Sequence, residues 1–223
     1  MSPFARADYV IDYVPLKAAR LDQIKYGSTV RVTKDTYIQH DICSREPWPF
    51  PDKYFDFAIC SHTLEDLRDP VWVCSELVRV SKAGYIETPS RLYETTFNLE
   101  IKNMAGASHH RWIVDLTADN RLRFTFKHMQ VHCKAVNSNR RKLSRGPEDI
   151  LQCVWHDSFE FFENYLVNGP EVFEYYLDRP VDEKEKWLLY RKLDSRNIFI
   201  RWASYFKNTN PTLGRLIRQL RSK

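Results

Sequence analysis

The 223 residues predict an α/β chain with a mostly parallel sheet, an antiparallel hairpin and a helical C-terminal region. Three patterns carry this reading. Between Asp8 and Glu87, four short apolar runs alternate with crossover segments, as strands of a parallel sheet buried on both faces do. Two runs of alternating polarity then flank a polar turn, and beyond Pro147 large apolar residues recur at three- and four-residue spacing. With 43% apolar residues the chain can bury one substantial core.

The first run, Ala7 to Tyr13, is short, apolar and carries Asp12 near its end, so it reads as a buried strand with a carboxylate at its C-terminal end. Leu16 to Ile24 reads as a short helix or turn, and Tyr37 to Ile42 as a second strand. Pro47-Trp48-Pro49-Phe50-Pro51-Asp52 has too many prolines for either element and must be an irregular loop. Phe55 to Ser61 is a third strand. Asp69-Pro70 opens a helix through Val80, with Pro70 where its missing N–H costs nothing. Gly84 to Thr88 is a fourth strand, closed by Pro89. Asp8–Asp12, Tyr37–His40, Phe55–Cys60 and Tyr85–Glu87 are therefore expected as neighbouring strands of one sheet.

Arg111 to Leu116 and Leu122 to Lys127 alternate in polarity around Thr117-Ala118-Asp119-Asn120 and predict a β-hairpin. From Pro147 onward Phe159, Phe161, Phe162, Tyr165 and Leu166, then Val172, Phe173, Tyr176 and Leu177, predict helices broken at Asn168-Gly169-Pro170, with the aromatic stripe serving as core. The expected organisation is an α/β core over residues 1–135, a basic loop over 136–146 and a helical extension over 147–223.

The net charge of +5 is uneven: Arg140, Arg141, Lys142 and Arg145 form one basic run, and Ser195 to Lys223 holds seven basic residues and no acidic one. Such patches attract phosphates or acidic lipids, but no stacking aromatics are interleaved as nucleic-acid binding requires, so a solvated face is expected and no nucleic-acid partner. No run approaches the roughly 20 apolar residues of a membrane span, and no signal-peptide pattern opens the chain, so a cytoplasmic protein is expected. The five cysteines, Cys43, Cys60, Cys74, Cys133 and Cys153, are odd in number and far apart, and read as reduced, mostly buried thiols. His128 and His132, followed by Cys133, would share a face only on a helix; the preceding run is a strand, so no metal site is expected. Self-association is left open.

Pro49-Phe50-Pro51-Asp52-Lys53-Tyr54-Phe55-Asp56, running on through Ser61-His62-Thr63-Leu64-Glu65-Asp66 to Asp69-Pro70, resembles the pattern of class I S-adenosylmethionine-dependent methyltransferases in which a "PF-x-D-x-x-FD" loop feeds the fourth strand. Glu76 through Ser90 is similar to that family's "E-x-x-RV-x-K-x-G" passage from helix to fifth strand, so the resemblance runs over about 40 continuous residues. It implies a Rossmann-like class I methyltransferase fold of the methyltransferase-11 kind. It further implies that Asp12 binds the two ribose hydroxyls of the cofactor, that Asp41 and Ile42 hold and cover the adenine, and that Ser61 and His62 line the crevice beyond the strand ends.

The resemblance lacks one part. The family's first strand and its glycine-rich loop, which let the backbone approach the methionine end of the cofactor, have no counterpart before Asp8. That strand is central in the fold, so another segment fills the space, the sheet closes up, or the chain shown is not the complete protein. Binding of S-adenosylmethionine is expected to be weakened or lost. If methyl transfer takes place, the acceptor is expected to be a small molecule, with a sugar or glycan precursor as one class, and the candidate bases are His110, then His109, and Glu87. The Gly106-Ala107-Ser108 stretch before the histidines reads as a mobile approach. The alternative is a non-catalytic methyltransferase-like protein that has lost the cofactor and acts as an interaction module.

Overall fold

The computed structural model describes residues 4, 6–19, 31–132, 147–166, 169–178, 180 and 185. The chain divides into two compact units, one made of residues 1–90, 111–125 and 150–164, the other of residues 91–110, 126–149 and 165–223.

In the first unit, β1 (Val10–Asp12) pairs in parallel with β2 (Tyr37–Gln39), Val10 opposite Tyr37 and Asp12 opposite Gln39. A separate sheet has β3 (Ala58–Ser61) parallel to β4 (Ala83–Pro89), joined by the crossover helix α1 (Pro70–Val80). A third has the order β5 (Trp112–Leu116), β6 (Leu122–Phe126) and β8 (Phe161–Asn164). The last strand of the β3–β4 sheet is β7 (Ile150–His156), antiparallel on the far edge of β4. β5 and β6 are linked by a turn in which Thr117 N–H donates to the Arg121 carbonyl at 3.0 Å and Asn120 takes φ of 63°. A connection this short joins antiparallel neighbours.

Each element follows from its residues. At the start of α1 the Asp69 carboxylate accepts the Trp72 N–H at 3.0 Å, satisfying one of the orphan donors of the first turn. Val73, Cys74, Leu77 and Val80 recur on one face and are buried. They pack with Leu64, Ile86, Trp112, Phe124 and Trp155 into the core of this unit. Gly84 lies opposite Trp155 in the β4–β7 ladder, and a Cβ there would come within 2.6 Å of the indole, so a side chain is excluded. Burial pushes the Cys60 thiol up to about 12 and the Cys74 thiol well above its usual value, so both stay protonated.

The proline-rich loop is pinned to α1 by an ion pair that is buried on its glutamate side. Arg79 donates to Glu76 through Nε at 2.8 Å and one terminal nitrogen at 2.6 Å, and reaches the Trp48 and Phe50 carbonyls and the Asp52 carboxylate at 2.8–3.0 Å. Glu76 also accepts the Trp48 N–H at 2.6 Å. Lys53 Nζ meets the carbonyls of Val78, Ser81 and Asp157 at 2.8, 3.1 and 2.6 Å, closing the C-terminal end of α1.

Two expectations are corrected. The four apolar runs do form strands, but in two sheets: among the described residues no strand pairs with the second edge of β1 or of β3, so the sheet has not closed up across the gap. The residues from Ile150 to Asn164 are strands and not helix. Along β7, Leu151, Cys153 and Trp155 turn inward while Gln152, Val154 and His156 are exposed; this period of two was masked by the run of aromatics Phe159, Phe161 and Phe162 that follows. Where a short helix or turn was expected from Leu16, the described residues form a 3-10 turn at Leu16–Ala18, and residues 20–24 lie outside them. The basic run at 140–145, Cys133 and the tail beyond Ser195 lie outside them.

The second unit holds α2 (Arg91–Thr95), 3-10 turns at Met129–His132 and Pro147–Asp149, and α3 (Gly169–Leu177). α3 buries Val172, Phe173 and Tyr176, the helical spacing expected for them. The Tyr176 hydroxyl accepts the His128 N–H at 2.9 Å, and the Arg91 guanidinium lies 3.9 Å from the centre of the Tyr175 ring.

The loop clamp should be visible in stability. Burial raises the Glu76 carboxyl, but the Arg79 hydrogen bonds and the Trp48 N–H outweigh it and hold the group below its ordinary value of 4.5. Its stabilisation is complete above that value and disappears as the pH falls through the lower folded-state value. Glu76→Ala removes the carboxylate partner of the half-buried Arg79 and leaves the Trp48 N–H without its acceptor, and should cost about 2 kcal/mol in urea unfolding at neutral pH. A loss below 0.5 kcal/mol (roughly the scatter of surface substitutions) would show that the loop is held by other means.

Candidate active site

The carboxyl ends of β3 and β4 bring three of the candidate residues together. Ser61 closes β3 directly opposite Glu87 in the ladder. His62 then turns into the left-handed region, φ 48°, and its N–H donates to the Glu87 carbonyl at 2.8 Å. For a non-glycine residue this conformation costs about 1–3 kcal/mol and persists where its surroundings fix it. The Ser61 hydroxyl donates to Glu87 Oε1 at 3.0 Å and the Tyr85 hydroxyl to Oε2 at 2.5 Å; Gln152, opposite in β7, reaches Oε2 at 3.5 Å. His62 Nε2 is 3.2 Å from Glu87 Oε1, and its Nδ1 is 3.6 Å from Glu65 Oε1.

This network sets the charge of Glu87. Desolvation raises its carboxyl, but the Tyr85 and Ser61 hydroxyls, His62 and Gln152 together pull it below its ordinary 4.5. A carboxylate so well supplied with donors is a weak proton acceptor and a firm anchor for His62. Glu65 is 1% exposed, and its Oε2 has no hydrogen-bond partner among the described residues. Its carbonyl accepts the N–H groups of Arg111 and Trp112 at 2.7 and 3.1 Å, tying the end of the β3 loop to the start of β5.

At the end of β1, Asp12 is buried to 9% exposure. Its Oδ1 accepts the Val14 N–H at 3.1 Å, while Oδ2 has no partner among the described residues. The Tyr37 hydroxyl donates to the Val14 carbonyl at 2.7 Å; burial, then the nearby Asp12 charge, pushes this phenol up to about 12. After β2, Asp41 accepts the Cys43 N–H at 2.9 Å through Oδ1 and Arg68 at 3.2 Å through Oδ2. Ile42 packs against the core, with its carbonyl 3.3 Å from the Trp48 indole nitrogen. A cavity of about 510 Å³ opens beside this turn, lined by Cys43, Ser44, Arg45, Arg68, Asp69 and Trp112 among others.

The other two candidates belong to the second unit. His110 Nδ1 is 2.6 Å from Glu94 Oε1, and Lys127 Nζ is 2.6 Å from Glu94 Oε2 and from the Ala107 carbonyl. The three side chains are 8%, 0% and 4% exposed. His109 is 61% exposed, its ring centre 4.4 Å from that of His110. Gly106, φ 60°, has no room for a Cβ: one would lie 2.4 Å from Glu94 Oε2. Ala105, Gly106 and Ala107 are buried, with Ala105 N–H donating to His132 Nδ1 and Gly106 N–H to the Thr96 carbonyl, so this stretch is pinned at its base where a mobile approach was expected.

A family model described as a methyltransferase domain matches residues 9–86. The match covers about a third of the chain. No curated protein and no solved structure matches the chain. In the matched segment the groups that the nucleoside part of S-adenosylmethionine would need are open: Asp12 has one oxygen to spare, and Asp41 keeps lone pairs beyond its two bonds and is 42% exposed. Among the described residues the methionine part has no such partner. Of the two described glycines that need their open Cβ position, Gly84 gives that space to Trp155 and Gly106 gives it to Glu94, so neither offers a backbone cradle.

Sequence reasoning missed Tyr85, Gln152, Glu65 and Arg68 in the first unit, and Glu94 and Lys127 in the second. Tyr85 was within reach, because residues two apart on a strand share a face. Lys127 is 33 residues from Glu94, and no spacing rule joins them. Replacing Tyr85 by Phe removes the shortest bond to Glu87, and the Glu87 carboxyl should then titrate closer to 4.5 by carboxyl-carbon NMR. An unmoved titration would mean that Ser61, His62 and Gln152 hold it without Tyr85.

Proposed function

We propose that the protein carries out S-adenosylmethionine-dependent methyl transfer to a small-molecule hydroxyl acceptor, with sugars and glycan precursors as the acceptor class. The observation that carries this reading is the methyltransferase-domain match together with the carboxylates at the ends of its first two strands, Asp12 and Asp41. The cofactor would supply a methyl group activated on a sulfonium. Asp12 binds the ribose hydroxyls through its spare oxygen, Asp41 accepts from the adenine amine, and Ile42 covers the ring. Ser61 and the ionised Glu87 fix His62 at the crevice mouth. His110 takes the acceptor proton, with His109 beside it. The cofactor is held weakly, because the methionine end lacks a glycine cradle among the described residues.

The second reading, a non-catalytic methyltransferase-like interaction module, is favoured by the same missing cradle and by the saturation of Glu87 with donors. An assay of labelled methyl transfer to a panel of sugars and nucleotide sugars at millimolar cofactor separates the two. Under the first reading, His110→Ala loses roughly 10²–10⁴ in turnover with little change in cofactor affinity. Equal turnover in His110→Ala and His109→Ala removes the proposed base, and absence of transfer to any acceptor favours the module.

A further inference from the structure

Glu94, His110 and Lys127 form a buried cluster of three ionisable side chains on three separate segments of one unit. Burying three such groups is costly unless each compensates another, and a half-satisfied set would be worse than an apolar core. Here the geometry closes. Each oxygen of Glu94 takes one short contact, and Lys127 has the Ala107 carbonyl as a second acceptor. Gly106 leaves room for the carboxylate. A carboxylate paired with a lysine through one oxygen accepts at the other, so the proton between Glu94 and His110 is assigned to Nδ1.

We propose that Glu94 and Lys127 are positioning residues for His110: Glu94 accepts the Nδ1–H and fixes the tautomer whose basic nitrogen is Nε2, and Lys127 compensates the carboxylate charge so that the imidazole stays neutral and able to take a proton. This rests on the reading of His110 as the base. Without Lys127 the buried carboxylate would draw the second proton onto His110 and leave an imidazolium, which cannot act as a base. Among the described residues, the other charged and titratable groups around the cluster include Tyr93 on α2, with its ring 6.4 Å from that of His110, His109, Asp66, Glu100 beyond His109, Arg91, Asp149, and Tyr176 on α3. None changes in the variants below, so differences between them report on Glu94 and Lys127.

Nitrogen-15 correlation NMR of the histidine rings in the full chain, with no ligand added, tests this. In the unmodified protein His110 should show the Nδ1–H tautomer at neutral pH; the Nε2–H tautomer would overturn the proposal without any variant. Glu94→Gln should lower the His110 pKa and Lys127→Gln should raise it, each by about one unit, a tenfold change in the protonation equilibrium. Shifts in the same direction, or none, in variants whose amide spectra match the parent would overturn it. A merely structural role would destabilise both variants without opposite shifts. Because these readouts need no turnover, absence of methyl transfer beside the expected NMR result would defeat the proposed function alone.

Discussion

The bidentate pair between Arg79 and Glu76 is the constraint on which the first unit depends. It fixes the loop from Trp48 to Asp52 against α1, and that loop delivers the chain into β3, whose end carries Ser61 and His62. A surface ion pair would contribute little, but this one is buried on the glutamate side and its spare donors are spent on backbone carbonyls that would otherwise be orphaned in a proline-rich loop. Lys53 and Lys82 repeat the device on a smaller scale, the first on the carbonyls at the end of α1 and the second on Asp56. The polar residues by which the segment resembles methyltransferases are therefore mainly fasteners of the fold, and only the residues at the strand ends remain for chemistry.

The same logic recurs at both candidate centres. Glu87 gathers Tyr85, Ser61, Gln152 and His62 about one carboxylate at the end of β4, and Glu94 gathers His110 and Lys127 about another in the second unit. In each case an anion that is costly to bury is made stable by donors on several segments, and a histidine is thereby held in one orientation. The difference is compensation: Glu94 has a lysine opposite it, whereas Glu87 is surrounded by neutral donors and His62.

What could be read from the sequence follows the range of the interactions. α1 was legible because its cap, its proline and its buried face are all local, and β1 to β4 because each is a short apolar run closed by turn residues. The split into two sheets was not, since strand adjacency is decided by edges and not by the runs themselves. β7 and β8 were lost because Phe159, Phe161 and Phe162 satisfy a helical template as well as a strand one, and only the inward turn of Leu151, Cys153 and Trp155 decides between them. Among the candidates, Ser61 and His62 were singled out through the family resemblance and Glu87 as a candidate base, and it is the parallel pairing of β3 with β4 that brings them together, while the burial of Glu94 beside His110 depends on a helix, a loop and a strand end meeting.

The proposed methyl transfer presupposes that the carboxylates after β1 and β2, Asp12 and Asp41, hold a nucleoside. Titration calorimetry with adenosine and with S-adenosylhomocysteine, on the unmodified chain and on Asp12→Asn, tests that most directly. The account predicts similar, weak dissociation constants for the two ligands, on the order of 0.1–1 mM, and about a tenfold loss for both in Asp12→Asn. No binding of either ligand, or equal binding by Asp12→Asn, would contradict it.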